Sequence, residues 1–416
     1  MSPTPRAAAA LAAIALLAIA LGPLVAGLLA AALAGALLAD ARAARRPLRA
    51  GRRVASIVAR GVPAALSVEL PAGDGRRALV RQARPKEVEL RPQEDRGGLD
   101  AELVALRRGR ATLPAATVRV AGPLRLATWD HTAGEQQELL VFPDLPAARR
   151  LALAVRTGRF RDSGHQSRGP LGLGTEFESI RDYEPDDDIR QVNWPATARL
   201  GRAMSNQYRV EQDRDVICVL DCGRLMAAPL PGGATRLDAA LDAATAVGLV
   251  ADELGDRCGT LAFDAAVLRR LAPRRRGGDA LVRALFDIQP SALDSDYELA
   301  CRSVASSKRA LVIVFTDLIE EVAARSLVRA VPVLARRHEV VVAGVVDPDL
   351  DALLRARPEH ELDVLRAAAA LDVLGARERA ATRVRGAGAR VLETAPAELG
   401  RACVGAYLSA KARARL

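Results

Sequence analysis

"VIVFTDLIE", residues 312–320, and "DVICVLDCGRLM", residues 215–226, decide the fold. In each, an apolar run stops at an acid, Asp317 in the first and Asp221 in the second. Runs of this length, apolar at nearly every position, read as strands buried on both faces, the habit of parallel sheets. Around them, "RLDAALDAATAVGLVADELG" (236–255), "GDALVRALFDI" (278–288) and "VAARSLVRAVPVLARR" (322–337) have helical periodicity. "CGTLAF" (258–263) and "EVVVAGVV" (339–346) read as further strands. Strands alternating with helices predict a doubly wound, mostly parallel α/β domain over 215–416. Such sheets bind ligands outside the carboxyl ends of their strands, where both acids fall. The last sixty or so residues have helical texture, with one strand expected at "ARVLETA" (389–395).

Upstream, the texture is different. "LSVELPA" (66–72), "ALVRQA" (78–83), "EVELRP" (87–92), "ATVRVAG" (116–122) and "LLVFPDLP" (139–146) are short runs cut by Gly, Pro and charge. Their spacing predicts a small antiparallel β-sandwich over 54–150. His131, in "TWDHTAG" (128–134), reads as a solvent-facing loop residue.

No charge interrupts the chain from Ala7 to Ala39. A single helix of that length would be about 50 Å long, too long for a hydrocarbon core of about 30 Å. Gly22-Pro23 divides the run. Arg6 precedes it, and Arg42, Arg45, Arg46, Arg49, Arg52 and Arg53 follow it. Basic residues at both ends favour a membrane helical hairpin in residues 1–53, with both ends in the cytoplasm. One kinked span and a cleaved signal remain as alternatives. A two-pass inner-membrane protein with cytoplasmic domains is the expectation.

The 416 residues carry a net charge of +10, but only 3% are aromatic. Arginines are mixed with acids along the whole chain, and stacking residues are scarce, which argues against a nucleic-acid groove. Five cysteines without a C-x-x-C pair fit a reducing compartment and no disulfide framework.

Residues 151–214 hold the densest charge pattern. "GTEFESIRDYEPDDDIRQVNWPATARLGRAMSNQYRVEQ" (174–212) interleaves acids and arginines, and the acids after Pro185 are candidates to cap a following helix. Interleaving of this kind favours a structural network over a cation site. The string resembles the signature of the bacterial family called domain of unknown function 58. The resemblance rests on Gly174, Thr175, Phe177, Arg181, Tyr183, Asp187, Asp188, Arg190, Trp194, Thr197, Ala198 and Arg199. Asp186 stands where that family usually has Gly. The order of segments is similar too: membrane helices, a β-rich region, the signature, then an α/β domain.

The resemblance implies a von Willebrand factor A-like fold and partnership with a MoxR-type AAA+ ATPase. It also implies where a metal-ion adhesion site would be: D-x-S-x-S after the first strand, a Thr, and a later Asp. Here Asp221 and Asp317 remain as metal candidates, with Thr316 beside the latter. Gly223 and Leu225 replace both serines, Arg224 adds positive charge, and Ser295 or Asp296 stands in reserve. No cofactor is expected, magnesium at this degenerate site excepted. In its absence the two acids would cap helices, or Arg224 would pair with one of them. No Walker A loop is present, so ATP hydrolysis would belong to the partner. The expectation is a membrane-anchored, non-enzymatic protein-interaction module. The alternatives are a metal-dependent hydrolase using the acids of 182–188 and an extracytoplasmic adhesion protein with a working metal site.

Overall fold

The structure, a computed structural model, describes residues 2–46, 48–71, 78–160, 176–184, 187, 189–209, 214–305, 307–317 and 321–413. It is a mixed α/β protein with several sheets, in two compact units, Met1–Phe142 and Pro143–Leu416. The division falls at Phe142–Pro143, so the helix Leu145–Arg156 goes with the second unit, where it packs on the helix Arg236–Glu253.

In the second unit a six-stranded sheet is built from β1 (Asp215–Asp221), β2 (Arg257–Phe263), β3 (Val267–Arg274), β4 (Ala310–Phe315), β5 (Glu339–Val345) and β6 (Arg390–Thr394). The spatial order is β3-β2-β1-β4-β5-β6. All neighbours are parallel except β2 and β3. The order reverses between β1 and β4, so the crevice beyond their carboxyl ends is a topological switch point.

Helices cover both faces. Ile217, Val219, Leu261, Phe263, Val312, Val314, Val340 and Val342 point to one side. There they form a core with α3 (Tyr297–Ala305), α4 (Glu321–Ala335) and α6 (Glu361–Gly386). On the other side lie α1 (Arg236–Glu253), α2 (Gly277–Leu285) and α7 (Leu399–Ala412). The short α5 (Pro348–Arg355) leads into α6. Coverage on both faces explains why β1 is buried at every residue and why its sequence does not alternate. A capping box starts α1: Thr235 Oγ1 accepts from the Asp238 amide, and Asp238 accepts from the Thr235 amide.

In the first unit, sheets of five, four and three strands share one apolar core through residues such as Leu66, Val80, Leu103, Leu113, Val118 and Leu139. Strand Leu99–Ala105 alternates buried and exposed, as a half-buried strand must. The strand pairing is antiparallel except Ile57–Ala59 with Leu140–Phe142, which is parallel, as is the single bridge of Arg60 with Ala105. His131 is not in a loop. It lies in the strand Ala127–Ala133, and its Nε2 is 2.8 Å from the Ala44 carbonyl oxygen.

Helices Pro5–Leu21 and Pro23–Ala44 pack together, with Gly22 at φ +80° between them. Proline at the first position of each suits a helix start. By length and composition, Leu24–Ala44 is long and apolar enough to cross a membrane, with mean hydropathy 2.1. Leu16, Ile19, Leu24 and Leu28 are exposed. Asp40, only 1% exposed, ends this apolar surface. Its carboxylate accepts from the backbone N–H groups of Leu124 (2.7 Å), Leu126 (2.7 Å) and Ala127 (2.9 Å). Ser2–Pro3 pairs with Ala127–Thr128, so both ends of the two-helix segment meet the same strand.

Candidate functional site

Asp221 and Asp317 both lie at the switch point, 1% and 2% exposed. Asp221 ends β1, and its Oδ1 accepts from the Gly223 amide at 2.8 Å and from the Ser295 hydroxyl. Its Oδ2 accepts from Tyr297 OH and Thr316 Oγ1, each at 2.7 Å. Burial, and next the charge of Asp221, push the Tyr297 phenol well above its ordinary value, so it stays a donor. Its ring meets Phe263 edge-on at 5.6 Å. Ser295 is thus the reserve hydroxyl that reaches the site, whereas Asp296 caps α3 by accepting from the Leu299 amide at 2.9 Å.

Asp317 follows β4 and lies between two buried guanidiniums, Arg236 of α1 and Arg377 of α6. Arg236 also faces Asp347 at 3.5 Å. Arg377 donates to the Val345 carbonyl at 2.9 Å and faces Glu393 at 3.7 Å. Burial lowers the Arg236 pKa to about 10, with the charge of Arg377 helping and Asp347 opposing, so it remains protonated at neutral pH. Burial also lowers Arg377 and raises Glu393. Arg224 joins neither acid; its ion pair at 2.5 Å is with the exposed Asp294.

Among the described residues, no group of three or more His, Cys, Asp or Glu could hold a metal ion. An ionised carboxylate offers about four acceptor positions. At Asp221 all four are taken by donors, and at Asp317 two fixed cations occupy the neighbourhood. This donor set does not fit a divalent ion, and its chemistry is that of a buried hydrogen-bond and ion-pair network.

Strand Glu176–Asp182, which carries Phe177 and Arg181, pairs antiparallel with Met204–Arg209. Arg181 donates to Asp187 at 2.5 Å, and Asp187 also accepts from the Glu184 amide at 3.0 Å. Tyr183 OH donates to the Asp187 carbonyl at 3.1 Å. The Glu184 amide first, and the Arg181 guanidinium after it, hold the Asp187 carboxyl below the usual carboxylate range. Arg190 lies on the turn Ile189–Gln191. Helix Trp194–Leu200 carries exposed Trp194 and Arg199. It is capped by Asn193, whose Oδ1 accepts from Ala196; Asp186 and Asp188, two of the acids expected to cap a following helix, lie outside the described residues. Gly174, Thr175 and Asp188 lie outside the described residues. Ile180, Ile189, Trp194 and Leu200 are exposed, Trp194 by 67%.

A family model described as "Protein of unknown function DUF58" matches residues 179–403, more than half of the chain. Curated relatives include the uncharacterized proteins Mb1516 of Mycobacterium bovis and Rv1480 of Mycobacterium tuberculosis. Each is 26% identical over 186 residues, covering 42% of this chain and 56% of the relative. The chain therefore spans only a little over half the length of the curated relatives it matches.

Proposed function

The chain belongs to the DUF58 family, and on that premise we propose that it is a membrane-anchored, non-enzymatic protein-interaction module. The observation that carries this reading is the signature segment. Its polar residues Arg181, Tyr183, Asp187 and Asn193 bind one another and the local backbone. Its apolar residues Ile180, Ile189, Trp194 and Leu200 are left facing solvent. Trp is among the residues enriched where a few side chains carry most of an interface's binding energy.

The α/β unit supports the reading as a von Willebrand factor A-like domain, through its strand order and its one antiparallel edge strand. The partner is a MoxR-type AAA+ ATPase, which supplies ATP hydrolysis to the assembly or activation of other proteins. The two N-terminal helices form a two-pass anchor in the inner membrane, with both units in the cytoplasm. Arginines at both ends of the apolar stretch support that orientation. So does the meeting of Ser2–Pro3 and Asp40 on one strand.

The test is co-purification of the full chain, in detergent micelles, with the MoxR-type ATPase of the same cell. Capture by the native chain and at least tenfold weaker capture by Trp194→Ala is the expected result, the scale of a hot-spot truncation. Equal capture by both would move the interface elsewhere. No capture by the native chain would refute the ATPase as partner.

A further inference from the structure

Two acids at the switch point of a parallel sheet are what a hard cation would use. Here each carboxylate is already served by the chain. We infer that Arg236 and Arg377 act as a built-in cation for Asp317, so that this crevice is assembled from the chain's own charges and is independent of divalent metal. The inference goes beyond the docking role of Trp194, and neither depends on the other.

Three observations carry it. First, the guanidiniums arrive from separate helices, α1 and α6, and converge on one carboxylate that is almost fully buried. A charge buried so deeply is stable only when neutralised, and an arginine fork does this with fixed geometry. Second, Asp347 lies 3.5 Å from Arg236 and Glu393 lies 3.7 Å from Arg377, and both offset the mutual repulsion of the arginines. A divalent ion entering here would meet two like charges. Third, the hydroxyls that could have served a metal are turned to Asp221. Thr316, Tyr297 and Ser295 all bind its carboxylate. The space beside Gly223 shows the same substitution. A Cβ placed there would lie 2.2 Å from Ser295 Oγ, so the remote Ser295 hydroxyl fills the place of a side chain at 223.

The experiment uses the full chain in detergent micelles. Magnesium and manganese are titrated by calorimetry, and melting is followed with either metal or with EDTA. No saturable heat up to millimolar metal and an unchanged melting temperature are expected. Saturable binding that Asp317→Asn abolishes would overturn the inference. A cycle of Arg377→Met, Asp317→Asn and the double variant supplies a second readout. Arg377→Met leaves a buried acid half-neutralised and should lower the melting temperature of the second unit by roughly 10 °C. Adding Asp317→Asn should recover part of that loss. Simple addition of the two losses would mean the residues are uncoupled and would also overturn the inference. If Arg377→Met does not fold, Arg377→Lys, which keeps a charge but not the fork, closes the same cycle.

Discussion

Removing the Asp40 carboxylate should unfasten the end of the long apolar helix from residues 124–127 of the same unit. Asp40 receives three backbone N–H groups, from Leu124, Leu126 and Ala127. A hydrogen bond to a charged group contributes about 1.5–3 kcal/mol, and a buried donor left alone costs about 1–3 kcal/mol. The Ala127 bond is buried, while those of Leu124 and Leu126 are part-buried, so water can replace the carboxylate there. Asp40→Ala should therefore cost about 2 kcal/mol at Ala127 and about 1 kcal/mol at each of the others, roughly 4 kcal/mol in all. Asp40→Asn keeps one acceptor oxygen and loses the charge, so about half that cost is expected. Native-state hydrogen exchange on the full chain in micelles reads the effect residue by residue. In Asp40→Ala, protection of the Leu124, Leu126 and Ala127 amides should fall by a factor on the order of 100 to 1000, since about 1.4 kcal/mol is a tenfold change. The Val118 and Leu139 amides should keep theirs. Unchanged exchange at residues 124–127, or equal loss over the whole unit, would refute the reasoning.

Other expectations concern the second unit. A serine placed at position 223 would meet Ser295 Oγ, so Gly223→Ser should destabilise by about 1–3 kcal/mol in denaturant melts, and Ser295→Ala should relieve part of the cost. Tyr297 and Tyr407 are buried, and burial first, then Asp221 and Asp256 respectively, raises their phenols well above the ordinary tyrosine value of about 10. A folded pKa above the unfolded one gives stability that is complete below pH 10 and is lost as pH climbs above it. Stability should accordingly fall in alkali above pH 10, with phenolate absorbance from these two rings appearing only together with unfolding. Tyr407→Phe should flatten that dependence. Trp194 is exposed and makes no part of the core, so Trp194→Ala should change stability by no more than about 0.5 kcal/mol while weakening partner capture.

The strands ending at Asp221 and Asp317 were legible because a strand covered on both faces must be apolar along its whole length. The same logic hides β3. It is an edge strand, "VLRRLAPR", whose arginines and Pro273 belong to an open edge and look like a loop. Ser295 was in view as a reserve hydroxyl, but Tyr297, two residues on in the polar stretch "SALDSDYELA", gives no sign of folding under the sheet's end. Their role appears only when β1 and β4 become neighbours. Arg236 and Arg377 were harder still. With 60 basic residues in the chain, nothing local marks the two that converge on Asp317. The expectation that Arg224 would pair with one of these acids picked the nearest arginine in sequence, whereas the sheet brings in helices 81 and 60 residues from Asp317. The signature was legible as a network because acids and arginines at short spacing can meet within one turn. Asn193 as the helix cap was hidden by the more obvious run of acids before it.

The partners of Asp221 and Asp317 also set a timetable for synthesis. Asp221 is made 74, 76 and 95 residues ahead of Ser295, Tyr297 and Thr316. Asp317 then waits another 60 residues for Arg377. At about 5–20 residues per second, the interval from the first acid to the last arginine is on the order of ten seconds. Until Thr316 is made, Asp221 lacks its hydroxyl partners and β1 cannot settle into a dry sheet; Asp317, for which Arg236 is already made, lacks Arg377 for 60 residues more. The growing chain should stay open to chaperones and proteases until α6 emerges from the ribosome. Ribosome-bound chains halted between residues 317 and 377 should be cleaved readily, and the released full chain should resist.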